Sequence, residues 1–452
     1  MNPTMFREYD IRGIAGQDMD ENDVQLIGRG IGTFLRRNGS TRITVGRDCR
    51  VTSDAYTARL TEGLMSTGCE VTDIGVCPTP VLYYSIHQLQ QQGGVMVTAS
   101  HNPGEYNGFK LCMGTDSIHG AQIQEIHALI EAGDFEAGSG SRTTADVLTP
   151  YAALLKEKIS LARPLRVGID AGNGTAGVVA VPILEDLGCE VHKLHCRMDG
   201  TFPNHEADPT LLANMQELIA LVKKENLDLG IGYDGDGDRI GVVDEKGEIV
   251  FGDRLMIIFA REILSRKPGA TFISEVKCSQ TMYDDIEKHG GRAIMWKTGH
   301  SLIKKKMKEE DAALAGEMSG HIFFKDRYLG YDDATYASCR LLEILAAGDQ
   351  PLSELLADVP PTFNTPEIRV ECADHIKFKV VARVTERFKE QYRVIDIDGA
   401  RVILDDGWGL VRASNTQPAL VLRFEAQSES RLAEIRELVE STLTEIRDEF
   451  AA

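Results

Sequence analysis

Apolar, β-branched segments alternate with helix-like segments along much of the chain, and the alternation repeats. The tetrapeptide Gly-Cys-Glu-Val occurs at residues 68–71 and again at 188–191, each time after a helix-like stretch and before a strand-like one. An apolar segment that predicts a further strand lies upstream of each copy, at residues 42–48 and 165–173. The repeat indicates two α/β units of similar construction.

A third, divergent copy follows later in the chain. It has strand-like segments at 271–278 and 292–296, with a helix-like stretch between them. Glycine readily adopts the left-handed conformation that ends helices. We therefore expect Gly68, Gly188 and Gly290 to stop three equivalent helices.

Each unit then reaches a strand that ends in a loop of unusual composition. The loops read SHNP at 100–103, DGDGDR at 234–239 and GEMSGH at 316–321. Strand–helix–strand units of this length form right-handed crossovers, and ligands bind at the carboxyl ends of such strands. The pattern predicts three α/β domains that present these loops to one cleft.

Changes in composition suggest where the domains begin and end. A Gly/Ser/Thr-rich linker occupies residues 133–144, and Pro360, Pro361 and Pro366 punctuate the end of the third unit. The remainder mixes strand-like and helix-like segments. We predict three similar α/β domains with mixed sheets plus a C-terminal α+β domain around a central cleft, spanning residues 1–145, 146–250, 251–362 and 363–452.

The charge balance limits the possible partners. Forty-nine Lys and Arg against 69 Asp and Glu give a net charge of −20 in 452 residues, and such a field repels nucleic-acid backbones and anionic membranes. The longest apolar run is too short to cross a bilayer, and the first residues lack an apolar signal region. The sequence predicts a cytoplasmic protein without a nucleic-acid, membrane or obligate protein partner, in which anionic ligands enter a local basic cleft.

Some conspicuous residues are predicted to carry no chemistry. The nine cysteines form no CxxC pair, which is typical of packing thiols in a reducing compartment. His192, His195 and His205 do not have the spacing of zinc ligands. A lysine-rich stretch is directly followed by acidic residues, which predicts a solvated helix face. Its lysines are Lys304, Lys305, Lys306 and Lys308.

The DGDGDR loop predicts a metal site. Asp234, Asp236 and Asp238 alternate with glycines that let the backbone turn tightly, so three carboxylates can face one point. The same carboxylates match an EF-hand, but Arg239 stands where that loop needs glycine, and the flanks are strand-like. Three close carboxylates with few other ligands suit Mg²⁺ shared with a phosphate.

Ser100 follows a β-branched strand and is the candidate nucleophile. The glycines of a hydrolase elbow are missing, and the side chains of adjacent Ser100 and His101 do not face each other as nucleophile and base would. A serine that accepts and returns a phosphoryl group needs only a cation and hydrogen-bond donors around it. A turn-forming serine is the alternative.

Five motifs together resemble the α-D-phosphohexomutase superfamily, and a sixth, FREYDIRG near the start of the sequence, resembles its bacterial phosphomannomutase/phosphoglucomutase branch. Gly104, where proline is common, is the one departure noted inside a motif. The motifs occur in order along the whole chain: FREYDIRG at 6–13, TASHNPGEYNGFK at 98–110, DGDGDR at 234–239, KTGHS at 297–301, GEMSGH at 316–321 and RASNTQP at 412–418.

The resemblance implies a phosphoryl relay on a hexose phosphate. Ser100 would carry the phosphoryl group and bind Mg²⁺ together with the three aspartates of the DGDGDR loop. A hexose 1,6-bisphosphate would form as the intermediate and serve as activator. The remaining catalytic residues implied are Arg12, Lys110 and His300 for proton transfer, Arg239 and Lys277 for charge compensation, and His101 as an assistant.

The resemblance also implies how substrate is held. Glu317, Ser319 and His321 would bind the sugar hydroxyls. Tyr9 would line the cleft; a position in the apolar core is the alternative. Arg423 would belong to the phosphate site; an ion pair with Glu425 across a strand is the alternative. The loop that would grip the non-transferring phosphate contains Arg412, Ser414, Asn415 and Thr416.

Three other functions stay open on sequence grounds. A phosphoglucosamine mutase usually has glutamine in place of Met318, so this residue favours mannose and glucose phosphates. A Mg²⁺-dependent sugar phosphatase would share the metal loop. A noncatalytic sugar-phosphate binder would keep the cleft, but the presence of Ser100, Lys110 and His300 argues against it.

Overall fold

The first sheet carries the serine loop. A computed structural model describes residues 1–451. The strands of this sheet lie in the order β1-β5-β4-β2-β3-β7, with β6 on β5, and β5 runs antiparallel between β1 and β4. The elements are β1 Ile11–Ile14, α1 Glu21–Arg37, β2 Arg42–Arg47, α2 Ser53–Ser66, β3 Glu70–Val76, α3 Thr79–Gln88, β4 Gly93–Val97, β5 Tyr106–Met113, β6 Asp116–Ser117, α4 Ala121–Ala132 and β7 Arg142–Thr144.

The second sheet carries the acidic loop. Its order is β12-β11-β10-β8-β9, with β10, β8 and β9 parallel and β11 antiparallel to β10. The elements are α5 Leu148–Lys158, β8 Arg166–Asp170, α6 Gly177–Asp186, β9 Glu190–Leu194, α7 Gln216–Glu225, β10 Leu229–Tyr233, β11 Ile240–Asp244 and β12 Ile249–Val250.

The third sheet repeats the same plan in four strands. Its order is β14-β13-β15-β16, and the antiparallel strand β16 again follows a loop at the carboxyl end of a parallel strand. The elements are α8 Gly252–Arg266, β13 Thr271–Glu275, α9 Gln280–Lys288, β14 Arg292–Trp296, α10 His300–Glu309, β15 Leu314–Gly316, β16 Ile322–Phe324 and α11 Ala334–Ala346.

The predicted helix stops are confirmed in all three units. Gly68, Gly188 and Gly290 have φ values of 91°, 96° and 82°, and each lies two residues after the last helical residue of α2, α6 or α9. Their backbone N–H groups donate to carbonyls three residues back. Any residue with a Cβ would be strained at this φ, so the repeat depends on glycine.

The fourth sheet is entirely antiparallel. It has the order β17-β22-β21-β20-β19, with β18 also on β22, and two helices pack against it. The elements are β17 Phe363–Asn364, β18 Ile368–Glu371, α12 Asp374–Lys389, β19 Arg393–Ile395, β20 Ala400–Leu404, β21 Gly407–Ala413, β22 Ala419–Ala426 and α13 Glu429–Ala451.

Two segments differ from the sequence prediction, and glycine explains both. The predicted linker at 133–144 adds strand β7 to the first sheet, because Gly140 lies so close to Cys69 that a Cβ would fall 1.9 Å from its carbonyl oxygen. Strand β21 was not predicted at all. Gly407 and Gly409 lie within it, where the backbone packs closely against β22 and α13.

The apolar core joins the first three domains and leaves the fourth more separate. One cluster of buried residues extends from Val81 on α3 through Ile183 on α6 to Leu341 on α11. The C-terminal domain has its own cluster, and a small patch of Val276, Trp408 and Leu410 joins it to the third domain. Among the described residues no helix is long and apolar enough to span a membrane.

Candidate active site

Ser100 and the acidic loop meet where β4 and β10 end. The Ser100 hydroxyl donates to Asp234 Oδ2 at 2.9 Å, and Ser100 is buried with an unusual positive φ of 52°. The Thr98 hydroxyl accepts from the Ser100 backbone N–H at 2.9 Å. A Cβ at Gly235 would fall 2.5 Å from the Ser100 carbonyl oxygen. Glycine at 235 therefore allows the two loops to touch.

Asp234, Asp236 and Asp238 form one fully buried carboxylate cluster. One oxygen from each lies within 4.8 Å of the others. Burial and the two neighbouring carboxylates raise the pKa of Asp234 well above its usual value. The Lys110 ammonium lies 2.7 Å from Asp236 Oδ2 and also contacts Asp238. The cluster thus already attracts a cation.

The donor set of this cluster fits Mg²⁺. Asp236 Oδ1 is buried and accepts no hydrogen bond from any described residue, and Asp238 Oδ1 is buried with His321 Nε2 3.3 Å away. Buried carboxylate oxygens without partners are costly unless a cation compensates them. A hard divalent ion takes oxygen ligands of this kind.

Two basic residues flank the serine. His101 Nδ1 lies 3.2 Å from Ser100 Oγ, so the prediction that these adjacent side chains do not face each other was wrong. Burial together with the charges of Arg239 and Arg12 lowers the pKa of His101 well below its usual value. Arg12 contacts Asn102 Oδ1 and Asp10, and its buried Nε has no hydrogen-bond partner in residues 1–451. The serine loop therefore lies between a neutral imidazole and the fixed positive charge of Arg12.

His300 opens helix α10 at the edge of the same cleft. Its Nδ1 is buried, has no hydrogen-bond partner within the described part of the chain and lies 3.9 Å from Asp332 Oδ2. Burial and the nearby Lys304 charge lower the pKa of His300 well below 6.5. The ring of His300 is 5.7 Å from that of His321. His300 is thus a neutral imidazole at neutral pH and can accept a proton.

The GEMSGH loop is held by its own glutamate and histidine. Glu317 Oε1 accepts from the Gly299 backbone N–H at 2.7 Å, and Glu317 Oε2 lies 2.8 Å from His321 Nδ1. Ser319 Oγ lies 3.2 Å from the same nitrogen. Burial opposes protonation of His321, but Asp238 at 3.3 Å and Glu317 raise its pKa to about 9.

Lys277 and Arg423 lie at the boundary between the third and fourth domains. Lys277 Nζ is 3.1 Å from Glu367 Oε2. Arg423 donates to the Lys277 carbonyl and lies 3.7 Å from Asp253. Arg423 is buried on β22 and contacts Lys277 through the backbone, whereas Glu425 bonds elsewhere. Arg423 is therefore placed to position the Lys277 segment.

The loop after β21 faces Tyr9 across the cleft. Asn415 Nδ2 donates to the Tyr9 hydroxyl at 2.6 Å, and that hydroxyl donates to the Thr298 carbonyl at 2.8 Å. Arg412 Nε donates to Asp398 at 3.0 Å. The Ser414 hydroxyl accepts from backbone N–H groups within the loop, and Thr416 is exposed. The Tyr9 contacts thus join the first, third and fourth domains at a polar site.

Family models match each domain in order along the chain. They are the phosphoglucomutase/phosphomannomutase alpha/beta/alpha domain I at 3–137, domain II at 149–247, domain III at 251–363 and the C-terminal domain at 367–441. The chain belongs to the phosphoglucomutase/phosphomannomutase family.

Relatives within this family are similar over nearly their whole length. A phosphomannomutase/phosphoglucomutase of Pseudomonas aeruginosa is 45% identical over 441 residues, which cover 97% of this chain and 95% of that protein. A phosphoglucomutase of Neisseria meningitidis is 43% identical, with 96% and 95% covered. The crystal structure of a phosphoglucomutase/phosphomannomutase family protein from Burkholderia thailandensis matches with a TM-score of 0.93 at 41% identity, covering 98% of each chain. These matches confirm the predicted four-domain fold.

Sequence reasoning missed Arg50, which supports the serine loop of this family member. Its buried guanidinium donates to the carbonyls of Ser100 at 2.9 Å, Asn102 at 2.6 Å and Pro103 at 2.6 Å. Asp48 holds it through Nε at 3.0 Å. The only signal in the sequence was a charged Arg-Asp-Cys-Arg run after a strand, where an exposed turn is the usual outcome.

The lysine-rich stretch is only partly solvated, so that prediction was wrong for Lys304. Lys304 lies one helical turn after His300, on the face of α10 that points inward. Its Nζ is 3.1 Å from Asp332 Oδ1 and 4.1 Å from the centre of the Tyr83 ring. Lys304 therefore belongs to the surroundings of His300.

Proposed function

We propose that this protein interconverts hexose 6-phosphate and hexose 1-phosphate, with mannose, glucose or both as the sugar. The reaction would pass through a phosphoserine at Ser100 and a hexose 1,6-bisphosphate that also serves as activator. The observation that carries this proposal is the 2.9 Å contact between the Ser100 hydroxyl and the buried carboxylate cluster. The names of the relatives, which are phosphomutases, support the same activity.

Asp234, Asp236 and Asp238, with an oxygen of the phosphorylated Ser100, would hold Mg²⁺. The ion would offset the negative charge of the transferring phosphoryl group. Arg239 on the same loop, 3.9 Å from Asp234 through Nε, adds fixed positive charge. Lys110 would move from the carboxylates toward the sugar, because a bound cation would compete with its ammonium for them.

Each of the two phosphoryl transfers requires one proton transfer. The bond from phosphorus to Ser100 Oγ breaks as a bond to the sugar oxygen forms, and the sugar hydroxyl loses its proton. We assign His300 as the acceptor of that proton, since its imidazole is neutral and its Nδ1 has no hydrogen-bond partner among the described residues. Lys110 and Arg12 would stabilise the charge that develops on the oxygen.

Substrate would be held at its two ends. Glu317 and Ser319, which His321 orients, would bind sugar hydroxyls. Arg412 with Ser414, Asn415 and Thr416 would bind the phosphate that is not transferred, and a guanidinium can do so through two nitrogens. The sugar would turn over between the half-reactions, so that each phosphate visits Ser100.

Three substrates measured side by side test this proposal. Coupled assays with mannose 1-phosphate, glucose 1-phosphate and glucosamine 1-phosphate should show turnover of the first two and a dependence on catalytic hexose 1,6-bisphosphate. Preference for glucosamine 1-phosphate would indicate a phosphoglucosamine mutase instead. Steady release of inorganic phosphate without isomerisation would indicate a phosphatase, and binding without turnover would indicate a noncatalytic sugar-phosphate binder.

We place this activity in the cytoplasm, as the sequence predicts. All nine cysteines are free thiols, and seven of them are buried. Thiols persist in a reducing compartment.

A further inference from the structure

Two histidines and an aspartate of the second domain come together outside the active site. The spacing of His195 and His205 in the sequence predicted no zinc site, but one ligand atom from each lies within 4.8 Å of the other and of an Asp170 oxygen. Asp170 ends β8, His195 follows β9, and a loop returns His205 to the same edge of the sheet. The proximity of these three residues depends on the path of that loop, which the spacing in the sequence does not reveal.

The hydrogen bonds around His205 prepare its Nε2 to bind a cation. His205 Nδ1 lies 2.7 Å from the Glu206 carbonyl, which can only accept, so Nδ1 carries the proton. In the neutral ring Nε2 is therefore an acceptor, and it faces an Asp170 carboxylate oxygen at 3.1 Å. Two facing acceptors need a proton or a metal ion between them. The hydrogen bond to Asp170 raises the pKa of His205 accordingly.

The remaining contacts resemble the surroundings of metal ligands. A metal-binding histidine usually donates its other ring N–H to a carbonyl or carboxylate, as His205 does. Asp170 Oδ1 accepts from the Gly172 N–H at 2.9 Å, which orients the carboxylate. The exposed Glu217 carboxylate lies 3.2 Å from His195 Nε2. Both contacts between a histidine Nε2 and a carboxylate are close to the ~3.3 Å that separates ligand atoms around tetrahedral zinc.

We propose that Asp170, His195 and His205 form a second metal site, selective for zinc-like divalent ions, with Glu217 or water as the fourth ligand. Imidazole nitrogen favours Zn²⁺, Ni²⁺ or Cu²⁺ over Mg²⁺, which prefers oxygen ligands. The site is distinct from the Asp234–Asp238 cluster and does not depend on the proposed mutase activity.

A metal ion here would stiffen the support of the catalytic loop. The Ala207 carbonyl, two residues after His205, accepts from the Gly235 backbone N–H at 3.1 Å. Gly172 also packs against Ala207, at a point where a Cβ would fall 2.8 Å from its Cβ. An ion that fastens His195 and His205 to the end of β8 would therefore stabilise this region without touching the substrate.

Calorimetry of the full-length protein with Zn²⁺ in excess Mg²⁺ tests the site. Wild type should bind one Zn²⁺ that Mg²⁺ does not displace, and X-ray absorption should show imidazole ligands. His195→Gln and His205→Gln should each lower the affinity for Zn²⁺ at least roughly tenfold. Mutation of residues that only contact a metal ligand already lowers metal affinity by about this factor, so the loss of a ligand should cost no less. His192→Gln is the matched control and should leave the affinity unchanged, because among the described residues His192 bonds only Glu190.

A second measurement separates binding from folding defects. Zn²⁺ should raise the unfolding midpoint of wild type but not of His205→Gln, while circular dichroism without zinc should be the same for both. The proposal is overturned if wild type binds zinc only at the Asp234–Asp238 cluster. In that case Asp236→Asn would abolish zinc binding and His205→Gln would not. Equal weakening by His192→Gln would also overturn it.

Discussion

The Tyr9 hydroxyl lies 2.6 Å from Asn415 Nδ2, although 406 residues separate the two in the chain. The same hydroxyl donates to the Thr298 carbonyl at 2.8 Å, so one phenol joins the first, third and fourth domains across the cleft. Burial raises the pKa of Tyr9, and the hydroxyl therefore remains protonated as the donor to Thr298. This contact holds the proposed phosphate loop next to the catalytic domains.

Tyr9→Phe should therefore weaken substrate binding more than chemistry. Loss of a net hydrogen-bond contribution of about 0.5–1.5 kcal/mol predicts a KM for hexose phosphate raised roughly 3- to 10-fold. Steady-state kinetics would show it, with kcat largely retained. Tyr392→Phe, in the fourth domain but outside the cleft, serves as control. An unchanged KM in Tyr9→Phe would mean that this contact does not contribute to binding.

Ser100 should carry phosphate in part of the purified protein. The relay needs a charged donor before substrate arrives, so intact-mass measurement should show a phosphorylated fraction. Ser100→Ala should lose that mass and nearly all turnover, whereas Ser265→Ala, on the exposed face of α8, should keep both. Full activity of Ser100→Ala would refute the phosphoserine.

Removal of divalent ions should abolish activity. EDTA is expected to stop turnover and Mg²⁺ to restore it, while the larger Ca²⁺ should bind the carboxylates but support turnover poorly. Asp236→Asn should lower kcat roughly 100-fold or more, since metal stabilisation of phosphoryl transfer is worth several kcal/mol. Asp284→Asn on α9 is the control. Turnover that survives thorough chelation would argue against a metal in the Asp234–Asp238 cluster.

The pair Lys277–Glu367 should make stability depend on acid pH. The Lys277 charge lowers the pKa of Glu367 to about 2 from 4.5. Because the folded pKa is the lower one, the pair stabilises the folded protein above about pH 4.5, and this contribution of about 2–3 kcal/mol is lost as pH falls toward 2.

Unfolding midpoints across this pH range provide the measurement. Glu367→Gln should be less stable than wild type at pH 6, and the difference should shrink steadily between pH 5 and pH 3. Glu371→Gln, exposed on strand β18, which begins directly after Glu367, should not change the profile. A difference that is constant with pH would show that the ion pair does not stabilise the fold.

The repeated architecture could be predicted because its signals are local. Gly68, Gly188 and Gly290 stop equivalent helices through their own backbone conformation, and Asp234–Asp238 follow directly after a strand. The backbone conformation that such a local pattern favours is the one found in the folded protein. Local patterns also place Ser100 and the acidic loop at the same edge of their sheets.

Other features depend on contacts between distant segments and left no such signal. Arg50 acts through carbonyls some 50 residues away, and His205 meets Asp170 only because a loop returns to β8. Strand β21 contains two glycines that lower strand propensity and are tolerated because neighbouring backbone and helix α13 pack against them. Each of these features is determined by tertiary packing, which a single sequence does not reveal.

Arg412 is predicted to act as a phosphate clamp that closes with the fourth domain. Among the described residues its two terminal nitrogens have no hydrogen-bond partner, since only Nε bonds Asp398. The small patch of Val276, Trp408 and Leu410 is the apolar contact that holds this domain against the third one. A substrate phosphate with about two negative charges would bridge the guanidinium and draw the domain inward.

Arg412→Ala should raise KM roughly 10- to 100-fold, the cost of losing a hydrogen bond to a charged group, and should lower kcat because the cleft closes incompletely. It should also release more hexose bisphosphate during turnover. Arg412→Lys should recover only part of the loss, since an ammonium lacks the planar pair of donors. Arg436→Ala on the exposed face of α13 is the control. Small-angle scattering should show that the radius of gyration of wild type decreases on substrate binding and that of Arg412→Ala decreases less. An unchanged wild-type radius together with normal kinetics of Arg412→Ala would leave the clamp without support.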